Sequence, residues 1–244
     1  MISRYHRPAS LEEVFDLLDR DGVDSVLMAG GTGVNATEYP EIEVIDLQDV
    51  CPDAIIESGD RLVIGAMVRL QDVVDHGGVP PLLRELAHRE GPNTLRHSAT
   101  IGGTVASADP ESELLAGLLV HEATAEVQTR ERSLTIRIAD LFADPAALSG
   151  GIIASISVEV GGATASARTG RTPADTSIVA AIGRVTPDGL LLALTGVAST
   201  PVLIARDAVD ALVPPADFRG SSEYRRNLAS VLADRVVGQL GGAA

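Results

Sequence analysis

Two glycine-rich turns constrain this chain more than any other feature. The first, Ala29-Gly30-Gly31-Thr32-Gly33, leaves the apolar run Ser25-Val26-Leu27-Met28. The second, Thr100-Ile101-Gly102-Gly103-Thr104, runs into Val105-Ala106-Ser107-Ala108-Asp109-Pro110. Glycine lets a backbone come close to its neighbours and adopt conformations closed to other residues. Such turns also present backbone N–H groups to an anion. Two of them, each flanked by Thr or Ser hydroxyls, point to one anionic cofactor held from two sides.

Three readings of the first turn compete. A dinucleotide fingerprint needs a strand, G-x-G-x-x-G and a long crossover helix. Here the stretch from Val34 to Pro40 is too short for that helix. A phosphate loop of the Walker type needs Lys, and all 19 Lys+Arg residues are Arg. A turn with no ligand is the third reading, and the first turn alone does not exclude it. The second turn precedes a segment rich in carboxylates, Asp109, Glu111 and Glu113. Acidic groups in a first helical turn are stabilised by the helix dipole. Glu113 is also placed to accept hydrogen bonds from ligand hydroxyls.

Composition narrows the function. A chain of 244 residues with 45% hydrophobic residues can bury a sizeable core. Aromatic residues are only 2%, so Val, Ile, Leu and Ala must fill it. The net charge of −15 argues against a general nucleic-acid binder, whose affinity comes from cations on phosphates. Local N–H dipoles still allow an anionic cofactor. Cys51 is the only cysteine. A disulfide within the chain, or an iron–sulfur cluster held by this chain alone, is thereby excluded. The N-terminus has no apolar signal region and no stretch is long enough to span a membrane, so a cytoplasmic location is expected. His6, His76, His88, His97 and His121 are scattered without metal-ligand spacing, so no metal site and no catalytic acid/base pair is expected.

Periodicity predicts a mixed α+β fold in two parts. Ser10 caps a helix through Leu18, and Ser25–Met28, Glu43–Leu47 and Arg61–Gly65 read as strands. Leu70–Asp75 and Leu82–Arg89 read as helices. Asp109-Pro110 reads as the start of a helix through Val120. Ala125–Thr129, Leu134–Ile138 and Ile152–Val160 follow as strands. Val160-Gly161-Gly162 marks the predicted boundary between a domain of residues 1–161 and one of 162–244. Beyond it, Asp175–Ala181 and Val202–Val213 read as helical, Gly189–Thr195 as a strand, and Ser221 opens a final helix.

At these residues the chain resembles the FAD-binding medium subunits of molybdenum hydroxylases, the xanthine dehydrogenase and carbon monoxide dehydrogenase family. The family shows an A-G-G-T or A-G-G-N turn, then T-I-G-G-N leading to A-x-A-S-P-x-x-D-L. Ala29-Gly30-Gly31-Thr32, Thr100-Ile101-Gly102-Gly103-Thr104 and Ala106 to Leu114 are similar to these in order. Ile64-Gly65-Ala66-Met67-Val68 resembles the family's I-G-A-x-T, and Arg96 its Arg before T-I-G-G. Arg171–Val179, Gly196-Val197-Ala198-Ser199-Thr200-Pro201 and Ser221-Ser222-Glu223-Tyr224-Arg225-Arg226 extend the likeness to the C-terminus.

The resemblance implies a two-part FAD-binding domain followed by a smaller α+β C-terminal domain. It assigns noncovalent FAD to Ala29, Gly30, Gly31, Thr32, Gly33, Thr100, Ile101, Gly102, Gly103, Thr104, Ala108, Glu113 and Arg168. Glu113 stands where the family has Asp, and Thr104 where it has Asn or Ser. Arg168 is the cation in a stretch, Gly161 to Arg168, where the family also has an aromatic. It further implies two partners: a small subunit with [2Fe-2S] clusters and a large subunit with the molybdenum cofactor. Electrons would pass from those clusters through FAD to an external acceptor in a hetero-oligomeric, FAD-dependent oxidoreductase. Two other readings are a structural subunit that keeps the fold without FAD, and a stand-alone flavoprotein oxidoreductase.

Overall fold

The computed structural model describes residues 1–170, 172 and 175–241. Arg171, Pro173 and Ala174 of the 171–179 segment, and the tail from Gly242, lie outside the described residues. Three sheets follow one another along the chain. The first is parallel: β1 (Ile2–His6), β2 (Ser25–Met28) and β3 (Ile42–Asp46) lie in the order β1-β3-β2. Helix α1 (Leu11–Leu18) packs Val14 and Phe15 against Ile45 and Leu47. Ser10 caps it by accepting from the Glu13 N–H at 3.2 Å, while the Glu13 carboxylate accepts from the Ala9 N–H at 2.7 Å. Helix α2 (Thr32–Ala36) leaves β2 through the first glycine turn.

The second sheet is antiparallel. Its strands β4 (Ile55–Ser58), β5 (Arg61–Gly65), β6 (Thr124–Gln128), β7 (Ser133–Arg137) and β8 (Ile152–Glu159) lie in the order β4-β5-β8-β6-β7. Between β5 and β6 the chain builds a helical layer: α3 (Leu70–Asp75), α4 (Pro81–Arg89), α5 (Asn93–Arg96), α6 (Ile101–Ser107) and α7 (Glu113–Val120). Every residue of α7 is buried. A helix apolar on all sides must lie inside the molecule, and α7 is the centre of the main core. Helix α8 (Ile138–Ala143) closes this part.

The third sheet is also antiparallel. Strands β9 (Thr164–Thr169), β10 (Val179–Thr186), β11 (Gly189–Thr195) and β12 (Val202–Leu203) lie in the order β12-β11-β10-β9. One face packs Ala180, Ile182 and Ala193 into the core around α7. Helix α9 (Ser222–Gly241) covers the other with Leu232, Val236 and Leu240. Arg225 enters this seam almost fully buried. Its guanidinium donates to the carbonyls of Ile178 and Gly196 at 3.1 and 2.9 Å and to Asp217 at 2.6 Å.

The α+β class and the order of the main strands agree with the sequence expectation. Three elements differ. The Asp175–Ala181 stretch is not helical; it leads into β10, where Val179 to Arg184 are all buried between β9 and β11. A strand buried on both faces loses the alternation that marks an exposed one. The Val202–Val213 stretch is an edge strand followed by a 3-10 turn, Arg206–Ala211. Its apolar Val202, Leu203 and Ile204 are consecutive, and only Val209 of the turn is buried. Helix α7 starts at Glu113 rather than after Asp109, because Ser112 accepts from the Leu115 N–H at 3.1 Å. Asp109 instead closes a turn by accepting from the Glu111 N–H at 2.9 Å.

Candidate functional site

The first glycine turn meets the segment that enters the second. Placing a Cβ on Gly30 would put it 1.8 Å from the carbonyl oxygen of Ser98 and 2.7 Å from its carbon. Only glycine lets the first turn rest on the segment that enters the second. Gly102 makes a close, less extreme approach to Ala66, whose Cβ and oxygen would lie 2.7 and 2.9 Å from an added methyl. The segment after β5 is therefore a platform. The Ile101 and Gly102 N–H groups donate to the carbonyls of Val68 and Ala66 at 2.9 and 3.0 Å.

A cleft of about 480 Å³ lies between the turns, within the usual size of a small-molecule site. Ala29, Gly30, Gly31, Thr32, Gly33, Thr100, Gly102, Gly103 and Thr104 line it. Its apolar wall includes Leu27, Leu47, Met67, Ile152 and Ile153, with Cys51 among them. Burial pushes the Cys51 thiol up to about 11, so it stays protonated and contributes as a small apolar group.

The turns differ in what they offer. No side chain caps α2, and Gly31 at its N-cap is left-handed at φ +73°. The first amides of a helix have no partner within it, so those of α2 are left to the cleft. The second turn spends its amides internally. Thr100 accepts from the Gly103 N–H through its hydroxyl at 3.2 Å and from the Thr104 N–H through its carbonyl at 2.9 Å. The sequence reading, in which both turns supply N–H groups, is thus corrected: the second supplies a smooth glycine surface and the first supplies donors.

Four residues assigned to the cofactor from sequence are not in the cleft wall. Ile101 is fully buried in the core. Ala108 sits at the end of α6 with φ 47°. Glu113 is 5% exposed and accepts from Arg89 Nη1 at 3.0 Å and from Arg168 Nε at 2.7 Å. Arg168, on β9, also donates to the Asp175 carbonyl. Glu113 therefore joins α4 and α7 to the third sheet. Two acids that sequence reasoning did not place in the site do line the cleft, Glu90 and Asp109. Glu90 Oε1 accepts from the Ser112 hydroxyl at 2.8 Å and the Leu114 N–H at 3.0 Å. Burial pushes its carboxyl up to about 7. Burial also raises Asp109, opposed by Arg219.

The family described as the FAD binding domain in molybdopterin dehydrogenase matches residues 1–158. The chain is 31% identical to the uncharacterised protein YgfM of Escherichia coli K12, over 95% of this chain and 94% of that protein. It is 28% identical to the carbon monoxide dehydrogenase medium chain of Afipia carboxidovorans, over 96% and 94% of the two chains. A chain in the crystal structure of a cyanide-inactivated Cu,Mo-CO dehydrogenase superposes with a TM-score of 0.85 at 26% identity, covering 100% of this chain and 99% of that one.

Proposed function

The chain belongs to that family, the FAD-binding domains of molybdopterin dehydrogenases, and we propose that its cleft holds FAD noncovalently as an electron relay. It is the FAD-binding medium subunit of a molybdenum hydroxylase-type oxidoreductase. The observation that carries the cofactor reading is the contact between the glycine turns, which builds a side-chain-free cradle beside the uncapped start of α2. A diphosphate fits such a surface, because backbone dipoles point at it without a bulky group intervening. The amides following Gly31 would hold the phosphates, and Gly102 and Gly103 would let them close from the other side. The apolar wall from Leu27 to Ile153 would exclude water from the rest of the cofactor. FAD, when bound, supplies the relay chemistry, and the protein supplies binding and electrostatics.

In this reading electrons come from [2Fe-2S] clusters on a small partner subunit, after oxidation at a molybdenum cofactor on a large one, and leave to an external acceptor. The chain's single cysteine is buried, which supports clusters held elsewhere. A cytoplasmic complex accords with that unpaired thiol. Among the described residues no helix is long and apolar enough to cross a membrane. We assign residues 1–161 to FAD binding and 162–244 to the C-terminal domain. The break falls where the chain passes from β8 to β9 through Gly161 and Gly162.

The visible spectrum tests the cofactor. Purified native protein should show flavin bands near about 370 and 450 nm and release FAD into the supernatant on acid precipitation. A colourless protein that stays colourless with excess FAD would refute the proposal. Capture of the tagged chain from its own cells tests the partners: molybdenum and iron should co-purify, and their absence refutes the relay.

A further inference from the structure

Glu90 stands out within the cleft because no cation among the described residues pairs with it. On its own helix, Arg89 turns away to Glu85 and Glu113. Arg96, on α5, donates to Gln71 and to the carbonyls of His88 and Gly91. Arg219 pairs with Glu111 and Asp217. Arg168 is on Glu113. The charges that do bear on Glu90 are those of Asp109 and Glu113, both repulsive to its ionised form. His88 on α4 and His97 just after α5 are exposed.

Its hydrogen bonds are one-sided as well. Ser112 and Leu114 both bond Oε1. Oε2 has no hydrogen-bond partner among the described residues, and the residue lines the cleft. A carboxyl that is partly buried, uncompensated and next to a second acid favours its neutral form. That form carries an O–H donor that the carboxylate lacks.

Resting on the FAD reading, we propose that Glu90 is a proton-linked acid of the cofactor cleft: its neutral carboxyl offers an O–H donor to the cleft, and binding of the anionic cofactor requires that proton to be kept or taken up. The reason is electrostatic. The diphosphate of FAD brings negative charge into the cleft that Glu90 and Asp109 both line, so the ionised acid repels it. The uncharged acid does not, and it can also bond an acceptor on the cofactor.

The test is FAD affinity against pH, read by quenching of FAD fluorescence on the apoprotein. With the free carboxyl titrating at about 7, and only the neutral form binding, linkage makes the wild-type dissociation constant roughly thirtyfold larger at about pH 8.5 than at about pH 6. Glu90→Gln keeps both bonds on Oε1 and carries no charge. Its profile should be flat within about threefold. Asp109→Asn should keep the pH dependence but start it at lower pH, because Glu90 loses a repulsive neighbour. A second readout needs no cofactor. The melting temperature of apo Glu90→Gln should gain on wild type as pH rises from about 4.5 to about 7 and hold that lead above it, because over that range the unfolded wild-type chain has lost a proton that folded Glu90 still holds. A purely structural cap for α7 would leave wild type and Glu90→Gln with the same slope, and that result overturns the proposal. So does a slope abolished by Asp109→Asn instead, or a melting difference independent of pH. Absence of FAD binding in every variant at every pH overturns the cofactor reading itself, and this inference with it.

Discussion

Gly30→Ala tests the contact on which the site is built. The new methyl would lie 1.8 Å from the Ser98 oxygen, against a floor near 3.0 Å for real Cβ contacts. One backbone must therefore move by more than an ångström. The Ser98 side is tied down. Ala99 donates to Leu95 at 2.7 Å and accepts from Leu70 at 2.9 Å, and Ile101 and Gly102 are bonded to the β5 platform. The first turn is held less firmly, with Ala29 to Thr32 only partly buried and Gly33 exposed, so it retreats. Overpacking against backbone costs about 1–3 kcal/mol. For a chain of this size that lowers the melting temperature by roughly 2–12 °C. Retreat of the turn also withdraws amide donors from a charged ligand, each contributing about 1.5–3 kcal/mol. FAD affinity should then fall by roughly 10- to 150-fold, read by fluorescence titration. Gly33→Ala is the matched control, since its Cβ meets nothing within 4 Å. Its apoprotein should melt no lower than wild type, because Ala is the better helix residue. If Gly30→Ala melts and binds FAD like wild type, the two turns do not rest on each other and the argument fails.

Two further substitutions probe the frame around the cleft. Glu113→Gln removes the charge between Arg89 and Arg168, which are 25% and 18% exposed in their side chains. Taking that shared charge away costs about 3 kcal/mol, or roughly 6–12 °C in melting temperature, although Arg89 keeps Glu85 and Arg168 keeps the Asp175 carbonyl. A drop below about 2 °C would mean the pairings contribute nothing net. His121 is fully buried, donates from Nδ1–H to the Glu159 carbonyl at 2.7 Å and has no partner at Nε2. Burial holds it down to about 4. The unfolded chain thus takes up a proton below about pH 6.5 that the folded chain refuses, so stability falls as pH drops through that window. The loss should reach roughly 3 kcal/mol by about pH 4. His121→Asn keeps an N–H donor and should lose that much less between pH 7 and 4 in urea titrations; equal losses refute the assignment.

Helices with caps and strands bounded by turns were legible from local sequence. Ser10 with Glu13 marked α1, and the short apolar run within Arg61–Gly65 marked β5. Elements whose identity depends on distant partners were not. Strand β9, Thr164–Thr169, has only alanines as apolar residues, and its conformation follows from pairing with β10 along Thr169↔Val179 to Thr164↔Arg184. Segment Asp175–Ala181 was read as helix for a related reason: β10 is buried on both sides, so its sequence carries no alternation. Helix α6 was hidden beneath the second glycine turn, because two glycines at its start argue against a helix until Thr100 is seen capping it.

The site divides in the same way. A glycine cradle is a local property of the chain, since close approach demands particular residues in a row, and Ala29–Gly33 and Thr100–Thr104 declare it. A shifted acid is not local. Arg89-Glu90 closes an amphipathic helix and looks like an ordinary charged end. What changes Glu90 is the docking of α7, whose Ser112 and Leu114 draw Oε1 inward, while Glu113 on the same helix claims Arg89. One buried carboxylate thus takes the cation that would have neutralised its neighbour. The pairing at Glu113 and the proton on Glu90 are two parts of one arrangement. That coupling has a direction. In Glu113→Gln, Arg89 loses a partner and Glu90 a repulsive neighbour, so both changes favour the Glu90 carboxylate. The pH at which FAD affinity begins to fall should therefore move down in Glu113→Gln, while in Glu90→Gln the dependence disappears.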